Sequence, residues 1–438
     1  MTSVAARLCC LALGAALGLD AARAAPPENL SSVAKGVYAA ARPRLLQIRT
    51  LLGSTERQSS IGSGFLVSAN GFAITNYHVV SQYVLEPNTY RLEYTAPDGE
   101  RGSLKLIAFD IANDLAIVQL DKAGQPYFEF EKRALADRMS RGERLYSMGN
   151  PLDVGFTIIE GTYNGKVERS YNDRIHFSGA LNPGMSGGPA VSSGNRVVGV
   201  NVAKRMGGEL MSFLVPARFA AQLLSRQHAP VALSPEAIRA EIGRQITQWQ
   251  AGLYKTLSAQ TLAARTFGPY QAPDSPAAWF SCWGRTNAEQ VPKPRALLQS
   301  TNCNTETSLF VAGDLSTGQL RVAHSYAKSV DLNDFQFAAF LSGQFRPSWF
   351  GWNRKRHTRT RCHEAFVDEQ VKEAPPLRAV WCARAYRDFE GLYDVSLLAV
   401  TQDRANEALV TRLSMHGVSY DNALQLGKRF LAEIRFAQ

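Results

Sequence analysis

Short apolar runs separated by glycine, asparagine and aspartate turns fill the chain between about residues 45 and 215. Asn70-Gly71 and Gly194-Asn195 each stand between two such runs, and dipeptides of this kind are strong signals of a β-hairpin. Short strands at this spacing are typical of an all-β barrel or sandwich. We therefore predict that this part of the chain is mainly β.

The pattern changes after residue 230, where a helical period replaces the closely spaced strands. Ser234 is a predicted N-cap and Pro235 a predicted first helical residue. An apolar helix face follows, made of Ile238, Ile242, Ile246, Trp249, Leu253 and Leu257. More strand-like runs and a last helix come next, and 438 residues are too many for one ordinary core. We expect one domain over 25–230 and a separate α+β domain over 231–438.

Residues 1–24 have the pattern of a secretory signal peptide. Arg7 supplies a positive charge, an apolar run covers 8–19, and the sequence ARA at 22–24 fits a cleavage site. The run is too short to cross the hydrocarbon core of a bilayer. No later run approaches that length, so we expect an exported protein, periplasmic or secreted, without a transmembrane segment in the mature chain.

Four cysteines follow the predicted signal peptide: Cys282, Cys303, Cys362 and Cys382. An even number in an exported chain favours two disulfides, and four cysteines allow three pairings. We favour the two pairs that are local in sequence. His357 and His363 near Cys362 leave a metal site as an alternative, but no paired CxxC spacing is present.

Three residues in the first half have the types and the order of a nucleophilic triad. His78 ends a strand-like run, Asp114 precedes another, and Ser186 lies in the sequence NPGMSGGPA. A serine hydroxyl needs a base to take its proton and a group to orient that base, and His and Asp supply both. The order His, Asp, Ser differs from the orders of subtilisin-type enzymes and α/β-hydrolases. Taken singly, each residue is as well explained by packing or by a turn.

The glycine before this serine has a separate predicted role. Gly184 allows the chain to turn so that its backbone N–H and that of Ser186 point at one spot. Two such donors form an oxyanion hole for the negative charge that develops during acyl transfer.

Several segments resemble trypsin-like serine proteases, and within them the HtrA/Deg-type branch exported to bacterial envelopes. The resemblance covers roughly residues 40–220 and rests on GSGFLVS at 62–68, ITNYHVV at 74–80, DLAIVQL at 114–120, MGNPLDVG at 148–155, NPGMSGGPAV at 182–191 and RVVGVNVA at 196–203. It implies two six-stranded barrels with the active site in the cleft between them. The 231–438 region does not resemble a PDZ domain, and we recognise no family for it.

The resemblance also implies a substrate pocket, in which this sequence departs from the digestive enzymes. Met185 replaces the aspartate that pairs with a new N-terminus there, so activation should not need propeptide removal. Ala180 stands at the pocket floor, which predicts cleavage after a small or medium apolar residue. Residues 200–204 would offer a strand edge to an extended substrate, and Val202, Ala203 and Lys204 would border the pocket. The Lys204 side chain could point into the pocket or into solvent.

A basic stretch at 354–361 follows several aromatic residues, and the chain carries a net charge of +10. Contact with an anionic envelope surface is one interpretation, and a hairpin with a solvated basic face is the one we prefer. No phosphate-binding glycine loop, nucleotide motif or paired glycosidase-like carboxylates stand out, so we expect no cofactor and no metal.

The leading hypothesis is an exported serine endopeptidase that acts on proteins or peptides through His78, Asp114 and Ser186. The competing hypothesis is a catalytically idle, protease-like binding module, in which the C-terminal domain binds an envelope partner. An esterase or amidase with the same triad is a third possibility.

Overall fold

Two closed six-stranded barrels form the first half of the computed structural model, which describes residues 32–202, 211–226, 234–346, 350–351, 353–367 and 373–437. Helix α1 (Ser32–Ala41) precedes the first barrel, and helix α2 (Tyr77–Leu85) lies between its third and fourth strands. The first barrel has the order β1-β2-β3-β6-β5-β4. Its strands are β1 Leu45–Leu52, β2 Gln58–Leu66, β3 Phe72–Thr75, β4 Tyr90–Thr95, β5 Arg101–Asp110 and β6 Leu115–Leu120.

The second barrel has the order β10-β11-β12-β9-β8-β7 and follows helix α3 (Lys132–Leu135). Its strands are β7 Arg144–Gly149, β8 Thr157–Lys166, β9 Ile175–Phe177, β10 Pro189–Val191, β11 Val197–Val202 and β12 Ser212–Pro216. Helix α4 (Ala217–Ser225) follows it, and a 3₁₀ turn, Pro151–Asp153, lies between β7 and β8. The predicted mainly β fold of two six-stranded barrels is confirmed.

One apolar cluster joins the two barrels. Leu45 of β1 packs in it with Met148 of β7 and Val200 of β11. Its neighbour Leu46 packs in a different cluster, because successive side chains of a strand point to opposite faces. The two barrels that bound the cleft therefore share part of their apolar core.

A seven-stranded antiparallel sheet dominates the C-terminal half, in the order β15-β16-β19-β23-β22-β21-β20. Its strands are β15 Phe280–Thr286, β16 Ala296–Thr305, β19 Leu320–Ser329, β20 Arg361–Val367, β21 Leu377–Ala385, β22 Leu392–Thr401 and β23 Glu407–Ser419. The smaller strands are β13 Ala264–Phe267, β14 Tyr270–Pro273, β17 Leu309–Ala312, β18 Leu315–Thr317 and β24 Arg435–Phe436. The helices are α5 Pro235–Ser258, α6 Asp334–Gln344 and α7 Tyr420–Ala432.

Helices cover both faces of this sheet. Leu397 packs under α5 and α7, whereas the next residue, Leu398, packs under the end of α6. Helix α5 begins where the sequence predicts, and the Ser234 hydroxyl accepts a hydrogen bond from the Ala237 N–H at 3.2 Å. Within the described ranges, none of the helices combines the length and the apolar character that a membrane crossing requires.

Helix α5 packs directly on the first barrel. Ile238, Ile242 and Ile246 lie in the same apolar cluster as Leu46 and other barrel residues. The Gln245 side chain accepts a hydrogen bond from the Ile111 N–H at 2.8 Å and donates one to the Phe109 carbonyl at 3.0 Å. The division into domains at 25–230 and 231–438 stays a prediction. One apolar cluster contains residues from both sides of that boundary.

The four cysteines form the two pairs that are local in sequence. The sulfur atoms of Cys282 and Cys303 lie 2.06 Å apart, and those of Cys362 and Cys382 lie 2.08 Å apart. Each pair joins an edge strand of the seven-stranded sheet to its neighbour. Because an edge strand has only one hydrogen-bonded neighbour, a covalent link there opposes fraying.

Removal of either disulfide is expected to lower the free energy of unfolding by about 3 kcal/mol, the value for closing a loop of roughly 20 residues. The two pairs span 21 and 20 residues, so each double Cys→Ala variant is the matched control of the other. Urea unfolding of the wild type and both variants measures the loss. An unchanged midpoint in either variant would contradict the prediction.

Candidate active site

His78 and Asp114 meet because two neighbouring strands of the first barrel run antiparallel. The end of β3 pairs with the start of β6, with Thr75 opposite Ala116. His78 follows β3 in the first turn of α2, and Asp114 directly precedes β6. The imidazole Nδ1 of His78 lies 2.7 Å from Oδ2 of Asp114, and the His78 backbone N–H donates to Oδ1 at 2.9 Å.

Asp114 adopts an unusual backbone conformation for a residue with a side chain. Its φ is +61°, in the left-handed region that costs a non-glycine residue free energy. The Asn76 side-chain amide donates to the Asp114 carbonyl at 2.8 Å and fixes this turn. The strained turn directs both carboxylate oxygens at one histidine.

Ser186 lies in the turn between β9 and β10, on the other side of the cleft. The residue is only 4% exposed, and its carbonyl accepts a hydrogen bond from the Ser63 N–H at 2.7 Å. Gly62 separates this turn from the helix that carries His78. A Cβ at Gly62 would lie 3.0 Å from the Ser186 carbonyl oxygen and 2.5 Å from Cγ2 of Val79. The two segments thus approach each other across a single glycine.

Gly184 has a φ of +94° and is held from both barrels. The Ser63 hydroxyl of β2 donates to its carbonyl at 2.7 Å and accepts from the Asn150 N–H at 2.9 Å. A Cβ at Gly184 would lie 2.5 Å from the Asn150 carbonyl oxygen and 2.9 Å from the Leu152 nitrogen. Only glycine fits this turn without moving the segment after β7.

Met185, the residue directly before Ser186, is a buried apolar residue. It is 0% exposed, and its carbonyl accepts hydrogen bonds from the Gly188 N–H at 3.1 Å and the Asn201 amide at 3.3 Å. A Cβ at Gly149 would lie 2.8 Å from the Met185 Cα. Close packing, with no ion pair at this side chain, holds the centre of the turn.

A polar brace that sequence reasoning missed connects β1 to the segment after β7. The Gln47 amide donates to Asp153 at 2.7 Å, and Arg49 forms an ion pair with the same carboxylate at 3.1 Å. Asp153 and Leu152 have positive φ, so this brace holds a strained turn that contacts Gly184. No motif marks Gln47 or Arg49, because their partner is more than 100 residues away in sequence.

The structure describes only two of the four predicted pocket residues, and they lie in different surroundings. Ala180 is exposed, and Val202 lines a cavity of about 500 Å³ that also borders His78. Ala203 and Lys204 lie outside the described residues. Sequence reasoning did not foresee the contribution of the C-terminal half, which adds Ser281, Glu306, Thr307, Ser308 and Phe310 to the cavity wall.

Arg174 brings a positive charge to the same cavity. Burial lowers the pKa of its guanidinium, while the nearby carboxylates of Asp114, Asp110 and Asp173 oppose that shift. The guanidinium also donates to the Asp173 carbonyl at 3.0 Å. Acidic groups of the chain itself therefore lie near this charge and favour it.

Residues 62–200 match the trypsin-like peptidase domain family. A Chlamydia muridarum protein named "Probable periplasmic serine endoprotease DegP-like" is 28% identical over 179 residues, which are 39% of this chain and 34% of that protein. A Brucella suis protein of the same name is 31% identical over 180 residues, covering 39% and 33% of the two chains. The chain thus spans about a third of the length of these curated relatives.

The crystal structure of a serine endoprotease from Yersinia pestis is 20% identical, with a TM-score of 0.39, and covers 45% of this chain and 67% of that one. Residues 62–200 thus resemble a trypsin-like peptidase domain in sequence, and they lie within the two closed six-stranded barrels. Their relatives in sequence are DegP-like serine endoproteases, so the resemblance read from the motifs is confirmed over this segment.

Proposed function

We propose that this protein is an exported serine endopeptidase that cleaves peptide bonds through an acyl-enzyme. The observation that carries the proposal is the double contact of Asp114 with His78. One carboxylate oxygen accepts the histidine backbone N–H, and the other lies 2.7 Å from Nδ1. This arrangement sets the imidazole tautomer and leaves Nε2 as the base, which is the requirement for activating a serine.

In the proposed mechanism, Ser186 Oγ attacks the carbonyl carbon of the scissile bond while His78 Nε2 takes its proton. The same nitrogen then gives that proton to the leaving amine, and the acyl group stays on Ser186. Water then attacks the acyl carbon while His78 Nε2 takes its proton. The bond to Ser186 Oγ breaks, Oγ receives that proton, and the carboxylic acid is released. Asp114 stabilises the imidazolium that exists during both transfers.

The oxyanion of the tetrahedral intermediate would be held by the backbone N–H groups of Gly184 and Ser186. The positive φ of Gly184 and the bond from Ser63 to its carbonyl support this role. The Gly184 carbonyl shares one planar peptide unit with the Met185 N–H, so this bond fixes the peptide unit that directly follows the Gly184 N–H. Donors prepared in this way need no reorganisation when the charge develops.

We infer a preference for cleavage after small or medium apolar residues, because Ala180 offers no carboxylate to a basic side chain. An exported location, in the periplasm or outside the cell, is supported by the signal-peptide pattern of residues 1–24 and by relatives named as periplasmic. Protein or peptide substrates follow from the peptidase domain.

An active-site fluorophosphonate is expected to label the processed protein at Ser186, because the activated hydroxyl reacts with electrophilic phosphorus. Mass spectrometry of the labelled peptide locates the modification. Ser186→Ala should abolish labelling, and Ser192→Ala, at another buried serine of the same barrel, should retain it.

A folded, processed protein that remains unlabelled would contradict the proposal and favour an idle, protease-like binding module. Labelling of both serine variants would instead show that the reactive group lies elsewhere. Cleavage of ester but not peptide substrates by a labelled protein would favour an esterase.

A further inference from the structure

The β17–β18 hairpin of the C-terminal half lies against the helix that carries His78. The ring centroids of Phe310 and His78 are 6.1 Å apart, with the planes at 77°. The buried hydroxyl of Tyr77 donates to the Val311 carbonyl at 2.9 Å. Burial, with the nearby Asp114 carboxylate, raises the pKa of Tyr77, which keeps this hydroxyl a donor. The residue beside the proposed base is thus tied to a different part of the chain.

Ion pairs within the C-terminal half also hold the turn of this hairpin, at Asp314. Arg356 forms ion pairs with Asp314 at 2.9 Å and Asp388 at 3.3 Å, and its side chain is only 14% exposed. The Asn353 amide donates to the Asp314 carbonyl at 2.9 Å. Arg356, from the basic 354–361 stretch, therefore holds the hairpin turn and is not a free surface charge.

The position of Phe310 makes it part of the cavity that begins at His78. Ile111, just before Asp114, and Phe213 of β12 line the same cavity. Charged groups at its border include Arg174 and Glu306, which have opposite signs. The aromatic and aliphatic walls give the space beside the imidazole an apolar character suited to a side chain without charge.

The cavity lies on the side of the cleft where the acyl part of a substrate would bind. Val202 pairs with Phe213 and ends β11, the second strand after Ser186. An extended substrate that pairs with the edge of this strand sends alternate side chains to opposite sides. When the first residue before the scissile bond directs its side chain to the Ala180 pocket, the second residue's side chain points the opposite way, toward His78 and the cavity.

We propose that Phe310 forms the outer wall of this subsite and makes the enzyme select an apolar residue at that second position. The inference rests on the proposed endopeptidase function. It gives the C-terminal half a direct part in substrate recognition, because the anchored hairpin presents Phe310 to the cleft. A substrate with glycine at the second position would leave this apolar wall exposed to water.

The test compares kcat/KM for two peptides that differ only in leucine or glycine at the second position. Phe310→Ala is expected to reduce the leucine preference about ten-fold, the scale of a lost apolar contact in a pocket. Phe310→Leu should keep most of it. Phe335→Ala is the matched control, because Phe335 lies in the same half and is 89% exposed.

Fluorophosphonate labelling of each variant separates failure of this inference from failure of the proposed function. Wild type that neither labels nor cleaves would remove the function itself. Labelled Phe310→Ala with an unchanged leucine preference would overturn the subsite assignment. Equal acceleration of both peptides by this variant would also overturn it and would make the hairpin a cover over the site.

Discussion

Asp114→Asn is expected to lower kcat about 10⁴-fold, the loss typical of a triad whose acid becomes an amide. The carboxylate receives two donors, the His78 backbone N–H at 2.9 Å and the Nδ1 position at 2.7 Å. An amide offers only one oxygen, so it faces one of the two with its NH₂ group. Either the imidazole takes the wrong tautomer or the backbone N–H loses its acceptor.

Asparagine is suited to this test because it tolerates the left-handed conformation that Asp114 adopts, at a φ of +61°. The bond from Asn76 goes to the backbone carbonyl and survives the change. We therefore expect a folded protein with a thermal midpoint close to that of the wild type. The measurement is kcat and KM on a cleaved peptide, together with the rate of fluorophosphonate labelling.

Asp121→Asn is the control, since its side chain is 79% exposed and lies 3.8 Å from Lys105 in a surface pair. A surface pair of this kind contributes little to stability, and its removal should leave kcat unchanged. Activity within ten-fold of the wild type in Asp114→Asn would refute the role assigned to this carboxylate.

Much of the first half could be predicted because its signals are local. Hairpin dipeptides favour turns independently of contacts with distant parts of the chain. As expected, β10 and β11 pair across Gly194-Asn195. The N-cap at Ser234 is local in the same sense. Local signals are misleading in the sequence YQAPDSPAAW at 270–279, whose prolines favour a loop, because its first four residues, Tyr270–Pro273, form a strand that pairs with β13 and β24.

The surroundings of the site could not be predicted, because they depend on contacts between residues distant in sequence. Tyr77 and Val311 are 234 residues apart, and nothing in either segment indicates the other. Gln47 likewise shows no sign of its bond to Asp153. A period of two identifies a buried face but does not say which element covers it. Residue types and order were therefore enough to predict the triad, whereas the contacts that surround it come from the fold.

Gly184→Ala is expected to lower kcat by about 10²–10³-fold, the loss that follows removal of one oxyanion donor. The added Cβ would lie 2.5 Å from the Asn150 carbonyl oxygen and 2.9 Å from the Leu152 nitrogen, both backbone atoms that cannot rotate away. The turn must shift, and the N–H of residue 184 shifts with it. Because Ser186, His78 and Asp114 are unchanged, KM should move less than kcat.

Gly99→Ala is the matched control for this last variant. Gly99 has nearly the same φ, +92° against +94°, but no atom lies within 4 Å of a Cβ built there. Both variants carry the strain of alanine in the left-handed region, and only Gly184→Ala adds the collision. We expect strain to lower thermal stability in both variants, the collision to lower it further in Gly184→Ala, and kcat to fall in Gly184→Ala alone. Equal kcat values for the two variants would show that the Gly184 turn does not hold the oxyanion.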